Sequence, residues 1–479
     1  MLFLKNVTKA VLFLSLGLIL NCVNSPSSPN PLEPQTNSEF LNYQITIKSF
    51  HEDSIEFHLS SNMYTEFILP YHFFDNPVNK IDGIVIKDLM IIDDDGKEIN
   101  YSTRTEKIGP INNTVISLTG DIKQPVTFSY KINPDAIKPD ETIDLDAYDI
   151  TDSTFVFLGN AAFILPFTTE ELVPLWRNPH NITVDVKCKP GIPLYGIPST
   201  GSFACRNIYE LIFCQIYAGK KPFLQGYGGG IPFSFLNFTD NTLNTGDYSA
   251  ISDKFSDILD VIWRTYGVFN DDMLTVSLTS IGGGLEGTFS FTQLGPSDKN
   301  FYYVLAHEAL HQFVGIRCGE YDDPWWKEGG TTYLSYLIAL RLNLVSKDDF
   351  KGYITKKFTF PDSSGFKIAL SDQWLRANMF PAGRFGIVYD QGSQVMMLLD
   401  YETRVASKNR YSIEDISAFL VKRFDGGAFH RSDFLNAFTK FGSPDVSNIF
   451  KTYVDSAGAH PSDSLLKFTF NKLDSLGAF

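Results

Sequence analysis

Two histidines and a glutamate have the spacing of a metal site. Residues 307–311 have the sequence His-Glu-Ala-Leu-His. On an α-helix, residues four apart lie on one face, so His307 and His311 can bind one metal ion, with Glu308 beside them as a general base. The stretch Phe301–Phe313 is compatible with a helix throughout. The motif therefore predicts part of a zinc site, the alternative being two helix histidines without a metal.

A third ligand has to come from the residues that follow. Catalytic zinc takes three protein ligands and leaves one position open for water. The candidates are Glu320, Asp322, Asp323 and Glu328. The first three fall in a turn, whereas Glu328 stands at the start of an apolar helix predicted over Gly330–Leu342. A carboxylate on a second packed helix is held rigidly, so we predict Glu328 as the third ligand, with Glu320 as the alternative.

The predicted site has a definite chemistry. One Zn²⁺ per chain would lower the pKa of its bound water to about 7, and Glu308 can take the proton and pass it to a leaving amine. Attack on an amide carbonyl forms an oxyanion, which needs a further donor, commonly a Tyr or His side chain. The motif therefore predicts hydrolysis of an amide bond.

Length and charge limit the other possibilities. A chain of 479 residues is too long for one core and predicts two or three domains. Its formal net charge of -15, without a long basic run, argues against a nucleic-acid partner. The oligomeric state does not follow from the sequence.

The first residues have the pattern of a targeting segment. Lys5 and Lys9 precede the apolar run Ala10–Leu20, which is too short to span a bilayer, and Cys22 follows. This pattern resembles a bacterial lipoprotein signal over residues 1–22, followed by a flexible Pro/Ser/Asn-rich tether over 23–38. We expect an exported lipoprotein of the cell envelope, held to the membrane by a lipid on Cys22. The alternative is an ordinary secretion signal in which Cys22 is incidental.

Four further cysteines are consistent with export. Cys188, Cys205, Cys214 and Cys318 allow three pairings. A disulfide between Cys188 and Cys205 is one hypothesis, because both flank a Pro/Gly-rich loop. Four reduced thiols are the other.

Hydrophobic periodicity predicts a multidomain fold. Residues 39–215 alternate with period two and predict a β-sandwich-like domain in which we find no convergent set of site residues. Residues 216–350 predict an α+β layout, with a helix through Ile251 and Ile262 that ends at Gly267. Residues 351–479 predict a helical C-terminal domain, in which Ser412 to Asp415 form a capping box.

Three stretches resemble one family of peptidases. The motif followed by Trp-Trp-Lys-Glu-Gly at 325–329 resembles the gluzincin metallopeptidases. Residues 281–286, Ile-Gly-Gly-Gly-Leu-Glu, resemble a motif of the glycyl aminopeptidase family, which is related to the leucyl/alanyl aminopeptidases. Residues 389–392, Tyr-Asp-Gln-Gly, resemble the Tyr-x-x-Gly segment of the same family.

The resemblance implies roles for individual residues. It implies a thermolysin-like catalytic domain over 216–350, a peptide substrate, and an aminopeptidase that removes N-terminal residues. The implied roles are zinc ligands for His307, His311 and Glu328, general base for Glu308, oxyanion donor for Tyr389, anchor of the substrate's α-amine for Glu286, and substrate contacts for Gly283 and Gly284.

Two features depart from the family, and two other functions stay open. Gly287 follows the motif glutamate where the family usually has histidine, and we expect no PDZ domain after the helical segment. A zinc endopeptidase would use the same site without needing a free amine. A catalytically weak surface lipoprotein acting as a binding module is the third interpretation.

Overall fold

A computed structural model describes most of the chain. The described residues are 40–49, 55–62, 64–70, 86–108, 111–132, 148–151, 154–167, 180–195, 200–219, 224–237, 245–269, 274–278, 289–291, 301–356, 367–372, 375, 386–442 and 446–479. The predictions for Cys22, Gly283, Gly284, Glu286 and Gly287 lie outside these ranges.

The N-terminal region is rich in sheet. Its strands are β1 (Phe40–Ile47), β2 (Ile55–Ser61), β3 (Glu66–Ile68), β4 (Ile86–Ile92), β5 (Asn100–Ile108), β6 (Ile111–Thr119), β7 (Val126–Ile132), β8 (Tyr148–Thr151), β9 (Thr154–Leu158), β10 (Leu165–Pro166), β11 (Asn181–Cys188), β12 (Leu194–Tyr195), β13 (Ser202–Cys205) and β14 (Gln215–Gly219). Two short helices interrupt them, α1 (Gly159–Ala162) and α2 (Ile208–Phe213).

These strands form three sheets around a shared core. The strand orders are β13-β11-β1-β2-β7-β4, β10-β3-β6-β5 and β12-β14-β9-β8. In β2, buried and half-buried residues alternate, as period two predicts for a strand with one face on the core. The rings of Phe67 on β3 and Phe128 on β7 lie 4.5 Å apart between centroids, which joins the first two sheets in one core.

A mixed sheet begins the second core. Its strands are β15 (Leu224–Gly228), β16 (Ile231–Asn237), β17 (Leu274–Leu278) and β18 (Phe289–Phe291), in that order. Between β16 and β17 runs α3 (Thr245–Tyr266), which ends at Gly267 with φ +102°, as predicted. Phe233 on β16 and Phe255 on α3 pack edge to face at 5.0 Å.

The C-terminal region is helical. Its described α-helices are α4 (Phe301–His311), α5 (Thr331–Arg341), α6 (Lys347–Ile354), α7 (Gly392–Ala406), α8 (Ile413–Arg423), α9 (Arg431–Lys440), α10 (Ser447–Ile449) and α11 (Asp463–Ser475). A parallel strand pair, β19 (Cys318–Glu320) and β20 (Gly427–Phe429), links the segment after α4 to the segment before α9. The capping box at Ser412 and Asp415 is confirmed.

Two of the helices begin as π-helix. The first π-helical segment, Trp326–Gly330, runs directly into α5, and the second, Ile387–Gln391, runs directly into α7. A further π-helical segment, Phe450–Val454, follows α10. Glu328 therefore lies within a π-helical turn, and the α-helix predicted to begin at Gly330 begins at Thr331.

The hypothesis of a disulfide between Cys188 and Cys205 is wrong, since none of the four cysteines in the described residues forms a disulfide. Strands β11 and β13 are antiparallel, and Cys205 lies opposite Ile182. Six residues separate Ile182 from Cys188 along β11, which at about 3.3 Å per residue puts the two cysteines roughly 20 Å apart. A disulfide needs Cα atoms within about 7 Å.

None of the helices in the described residues is both long enough and apolar enough to cross a membrane.

Candidate metal centre

Helix α4 brings its two histidines together. Both imidazoles lie on one buried face, with ring centroids 4.6 Å apart and Nε2 atoms 3.0 Å apart. Nδ1 of His311 lies 2.9 Å from the carbonyl oxygen of Val314. Because a carbonyl can only accept, Nδ1 carries a proton and donates it, which leaves Nε2 as the ring nitrogen that can bind a metal.

Glu328 completes a triangle with the histidines. Its Oε2 lies 3.5 Å from Nε2 of His307 and 3.4 Å from Nε2 of His311. Ligands at about 2.1 Å from a tetrahedral zinc ion lie roughly 3.4 Å from one another, so the three atoms fit three corners of that tetrahedron. Within the described residues, these three side chains are the group of potential metal ligands whose atoms lie within 4.8 Å of one another.

The alternative ligand lies elsewhere. Glu320 is buried on β19 and is not a member of this group. Asp322 accepts a hydrogen bond from the backbone N–H of Arg431 at 2.7 Å, and Asp323 accepts one from the Arg431 side chain at 2.9 Å. The two aspartates therefore anchor the start of α9.

Burial leaves the ligands in the protonation states that metal binding requires. Burial lowers the pKa of His307 to about 4, although nearby Glu328 acts to raise it. Burial alone would raise the pKa of the Glu328 carboxyl, but the charge of His311 and contacts with both histidines lower it well below its usual range. His307 is therefore neutral and Glu328 charged at neutral pH, the forms in which both bind metal.

Several polar atoms of the site make no hydrogen bond to the described protein. Both carboxylate oxygens of Glu328 and Nδ1 of His307 have no hydrogen bond within the described structure. The ammonium of Lys327, itself buried, lies 3.6 Å from Glu328 Oε1 and supplies one compensating charge. An ionised buried carboxylate without hydrogen bonds is costly, and a bound cation would offset that cost. The residues present therefore fit a zinc ion.

Tyr389 faces the same centre from the second π-helical segment. Its ring lies 6.1 Å from the ring of His307, with 22° between the planes. The hydroxyl is buried and has no hydrogen bond within the described structure. Burial, and then the negative charges of Glu328 and Glu308, hold the pKa of Tyr389 well above its usual value. Tyr389 therefore keeps its proton and can donate a hydrogen bond into the site.

Glu308 lies next to the first histidine and is buried. Its charge is among the causes that raise the pKa of Tyr389 and of Tyr303. The predicted amine anchor, Glu286, and the adjacent Gly283, Gly284 and Gly287 lie outside the described residues.

An aromatic wall beside the site was not predicted. Tyr303 stacks on Tyr336 at 4.1 Å between centroids, and Tyr336 packs on Tyr353 at 4.8 Å. The hydroxyl of Tyr353 donates to Asp390 at 2.9 Å. The available signal was the position of Tyr303, four residues before His307 and therefore on the metal-binding face of α4.

Sequence comparison alone identifies no relative. No protein-family model matches the chain, and no curated protein matches it.

Solved structures do resemble it. An aminopeptidase N family protein from Idiomarina loihiensis has a TM-score of 0.65 at 15% identity, over 89% of this chain and 78% of that chain. An M1 zinc metallopeptidase from Deinococcus radiodurans has a TM-score of 0.55 at 12% identity, over 89% and 94% of the two chains. Yeast LTA4 hydrolase has a TM-score of 0.58 at 13% identity, over 92% and 71%. The chain thus has the fold of these M1 zinc metallopeptidases, with its His-His-Glu group on elements of that fold.

Proposed function

We propose that the protein is a zinc-dependent aminopeptidase that hydrolyses N-terminal residues from peptides. The observation that carries the proposal is the buried triangle of His307, His311 and Glu328, with Glu308 and Tyr389 beside it. The shared fold supports it, because the similar structures include zinc peptidases, one of which is a mutant bound to a Tyr-Ser-Ala substrate.

In this proposal the three ligands hold one Zn²⁺ per chain. Bound zinc would lower the pKa of a water molecule to about 7 and polarise the substrate carbonyl. Glu308 accepts the proton that the water loses as its oxygen bonds to the carbonyl carbon. The hydroxyl of Tyr389 donates a hydrogen bond to the oxyanion. Glu308 then delivers the proton to the amide nitrogen, and the C–N bond breaks to release an amine and a carboxylate.

The amine end of the substrate is assigned from the resemblance to glycyl aminopeptidases. We infer that Glu286 binds the free α-amine through charge-assisted hydrogen bonds, with Gly283 and Gly284 allowing the substrate backbone to approach. Gly287 stands where that family usually has histidine, so we expect the residue preference to differ from the family's.

Replacing the base tests the mechanism. Glu308→Gln keeps the shape of the side chain and the metal ligands but cannot accept the proton. We expect full zinc content and a fall in kcat of about 10²–10⁴-fold on aminoacyl-anilide substrates. Glu98→Gln, an exposed glutamate of the N-terminal region, is the matched control and should have wild-type activity. Unchanged turnover in Glu308→Gln would refute the mechanism.

Two measurements separate the proposal from its alternatives. An aminopeptidase cleaves a free peptide and not its N-acetylated form, and equal cleavage of both would favour the endopeptidase. Metal analysis separates either enzyme from a binding module, which would hold less than about half an equivalent of zinc under non-chelating conditions.

We also propose that the protein is exported and anchored by a lipid on Cys22. Support comes from the basic residues Lys5 and Lys9, the short apolar run and the cysteine that follows it. Labelling with a radioactive fatty acid should mark the wild-type protein and not Cys22→Ala. Equal labelling of both would refute the anchor.

A further inference from the structure

Glu328 and Tyr389 occupy equivalent positions in two similar elements. Glu328 is the middle residue of the first π-helical segment, Trp326–Gly330, and Tyr389 is the middle residue of the second, Ile387–Gln391. Each segment continues without a break into an α-helix. Single π-helical turns occur often at functional sites, where the extra residue redirects a side chain.

The two π-helical segments touch through backbone. A Cβ atom on Gly329 would lie 2.6 Å from Cα of Gly392 and 2.6 Å from the carbonyl oxygen of Val388. A Cβ atom on Gly392 would lie 3.1 Å from Cα of Gly329 and 3.3 Å from the carbonyl oxygen of Trp325. No side chain separates the segments at this contact, which we call the glycine contact.

The glycine contact reflects a need for space. Gly392 has φ -59° and ψ -44°, ordinary right-handed helical values that any residue adopts. Glycine weakens a helix relative to alanine, so its presence here needs another reason. The atoms that a methyl group would meet are backbone atoms, which cannot rotate aside.

The glycine contact adjoins both functional side chains. Gly329 directly follows Glu328, and Val388, whose carbonyl meets it, directly precedes Tyr389. A shift between the segments would therefore move the carboxylate relative to the hydroxyl. Functional groups have to be held within about 0.5 Å of their productive geometry.

We propose that the contact between Gly329 and Gly392 is a positioning contact that sets the distance between the Glu328 carboxylate and the Tyr389 hydroxyl. The test by kcat rests on the function proposed above. The test by zinc affinity requires only that Glu328 binds the metal. Both glycines are positioning residues, since neither has a side chain to reach a substrate.

Single methyl groups test the contact in graded steps. Ordinary van der Waals contact begins at 3.4 Å. The Cβ atom added at Gly392 would lie 3.1 Å from the nearest backbone atom, so that distance has to grow by 0.3 Å. The Cβ atom added at Gly329 would lie 2.6 Å from the nearest backbone atom, so that distance has to grow by 0.8 Å. Because a misplacement of 1 Å costs about 10²-fold in rate, we expect Gly392→Ala to lower kcat about fourfold and Gly329→Ala about 40-fold, with KM nearly unchanged. Gly329→Ala should also weaken Zn²⁺ binding at least about tenfold. Changes to the residues that hold a metal ligand in place typically cost about 10–100-fold in metal affinity.

The matched control is one residue away. Gly330 has helical φ -63° and ψ -51°, and a Cβ there would meet nothing closer than Met396 Cε at 3.6 Å. Gly330→Ala should therefore keep wild-type kcat and zinc affinity. Thermal unfolding of each variant checks that it folds. If Gly329→Ala does not fold, the comparison of kcat between Gly392→Ala and Gly330→Ala still tests the contact.

A double-mutant cycle separates positioning from general damage. If the contact acts through Tyr389, adding Gly392→Ala to Tyr389→Phe should lower kcat by less than about twofold further. A full further loss of about fourfold would overturn the proposal, as would wild-type kcat in Gly392→Ala. If the wild-type protein hydrolyses no peptide, zinc affinity still tests the contact, and equal affinities of Gly329→Ala and Gly330→Ala would overturn it.

Discussion

In the proposed mechanism, Tyr389 serves a different part of the reaction from the metal ligands. Its proton is held by burial and by two neighbouring negative charges, so its hydroxyl remains a donor over the working pH range. A donor aimed at the site stabilises charge that is present only in the transition state. Its removal should therefore affect kcat far more than KM.

We expect Tyr389→Phe to lower kcat about 10²–10³-fold with zinc content unchanged. Steady-state kinetics on an aminoacyl-anilide substrate, together with metal analysis, measure both. Tyr227→Phe is the control, since that residue is 65% exposed on β15. A fall of less than about threefold in Tyr389→Phe would assign the oxyanion to another donor.

At the scale of residues, the sequence predicts well which residues close in the chain lie together, and poorly which residues far apart in the chain do so. His307 and His311 could be paired because helical geometry fixes residues four apart. Glu328 could be predicted as the third ligand because the site needs one more ligand and few candidates lie just after the motif. Tyr389 came only from resemblance, because no local rule connects it to residues some eighty positions earlier. The aromatic wall was missed for the same reason, since Tyr336 and Tyr353 meet Tyr303 only through packing.

At the scale of elements, one buried carboxylate joins three helices. Asp400 on α7 accepts hydrogen bonds from the Tyr333 hydroxyl on α5 at 2.9 Å and from the backbone N–H of Ile413 at the start of α8 at 2.9 Å. It also accepts one from Nε of Arg404 at 3.0 Å. Asp400 therefore orders helix α5, which follows the proposed ligand Glu328, against α7, which follows Tyr389.

Asp400→Ala should destabilise the protein strongly. Removing one member of a buried ion pair leaves an uncompensated charge, here on the largely buried Arg404, and costs about 3–5 kcal/mol. Urea unfolding followed by circular dichroism gives the free energy of unfolding. Asp257→Ala, on the exposed face of α3, should change it by less than about 0.5 kcal/mol. A similarly small effect of Asp400→Ala would contradict this account of the three helices.

Helix ends were more predictable than helix type. The capping box at Ser412 and the glycine end of α3 were correctly predicted because both are local hydrogen-bond or φ requirements. The π-helical turns could not be predicted, because one extra residue per turn hardly alters hydrophobic periodicity over five residues. Their presence depends on tertiary contacts such as the one between Gly329 and Gly392.

At the scale of the molecule, Asp425 connects the sheet-rich and helical regions. It accepts hydrogen bonds from Arg206, next to α2, at 2.6 Å and from Arg317, after α4, at 2.6 Å. Burial would raise the pKa of Asp425, but the two arginines outweigh it and hold that pKa below its usual value. Since the folded state favours the charged form, the stabilisation is complete above the ordinary Asp pKa and is lost as the pH falls through the lowered one.

We expect Asp425→Asn to lower the free energy of unfolding by on the order of 1 kcal/mol at pH 7, because the carboxylate is partly exposed and screened. The difference from the wild type should shrink as the pH falls below about 4, because the carboxyl of the unfolded chain takes up a proton there while that of the folded protein stays charged to lower pH. Urea unfolding at several pH values measures it. Asp253→Asn, exposed on α3, is the control, and a gap that is constant from pH 7 to pH 3 would rule out this linkage.

Cys188, Cys205, Cys214 and Cys318 form no cross-links with one another, which bears on what stabilises the fold. Its two cores, and not covalent bonds between these residues, supply the folding energy of the described regions. A reducing agent would therefore break no bond among these four side chains.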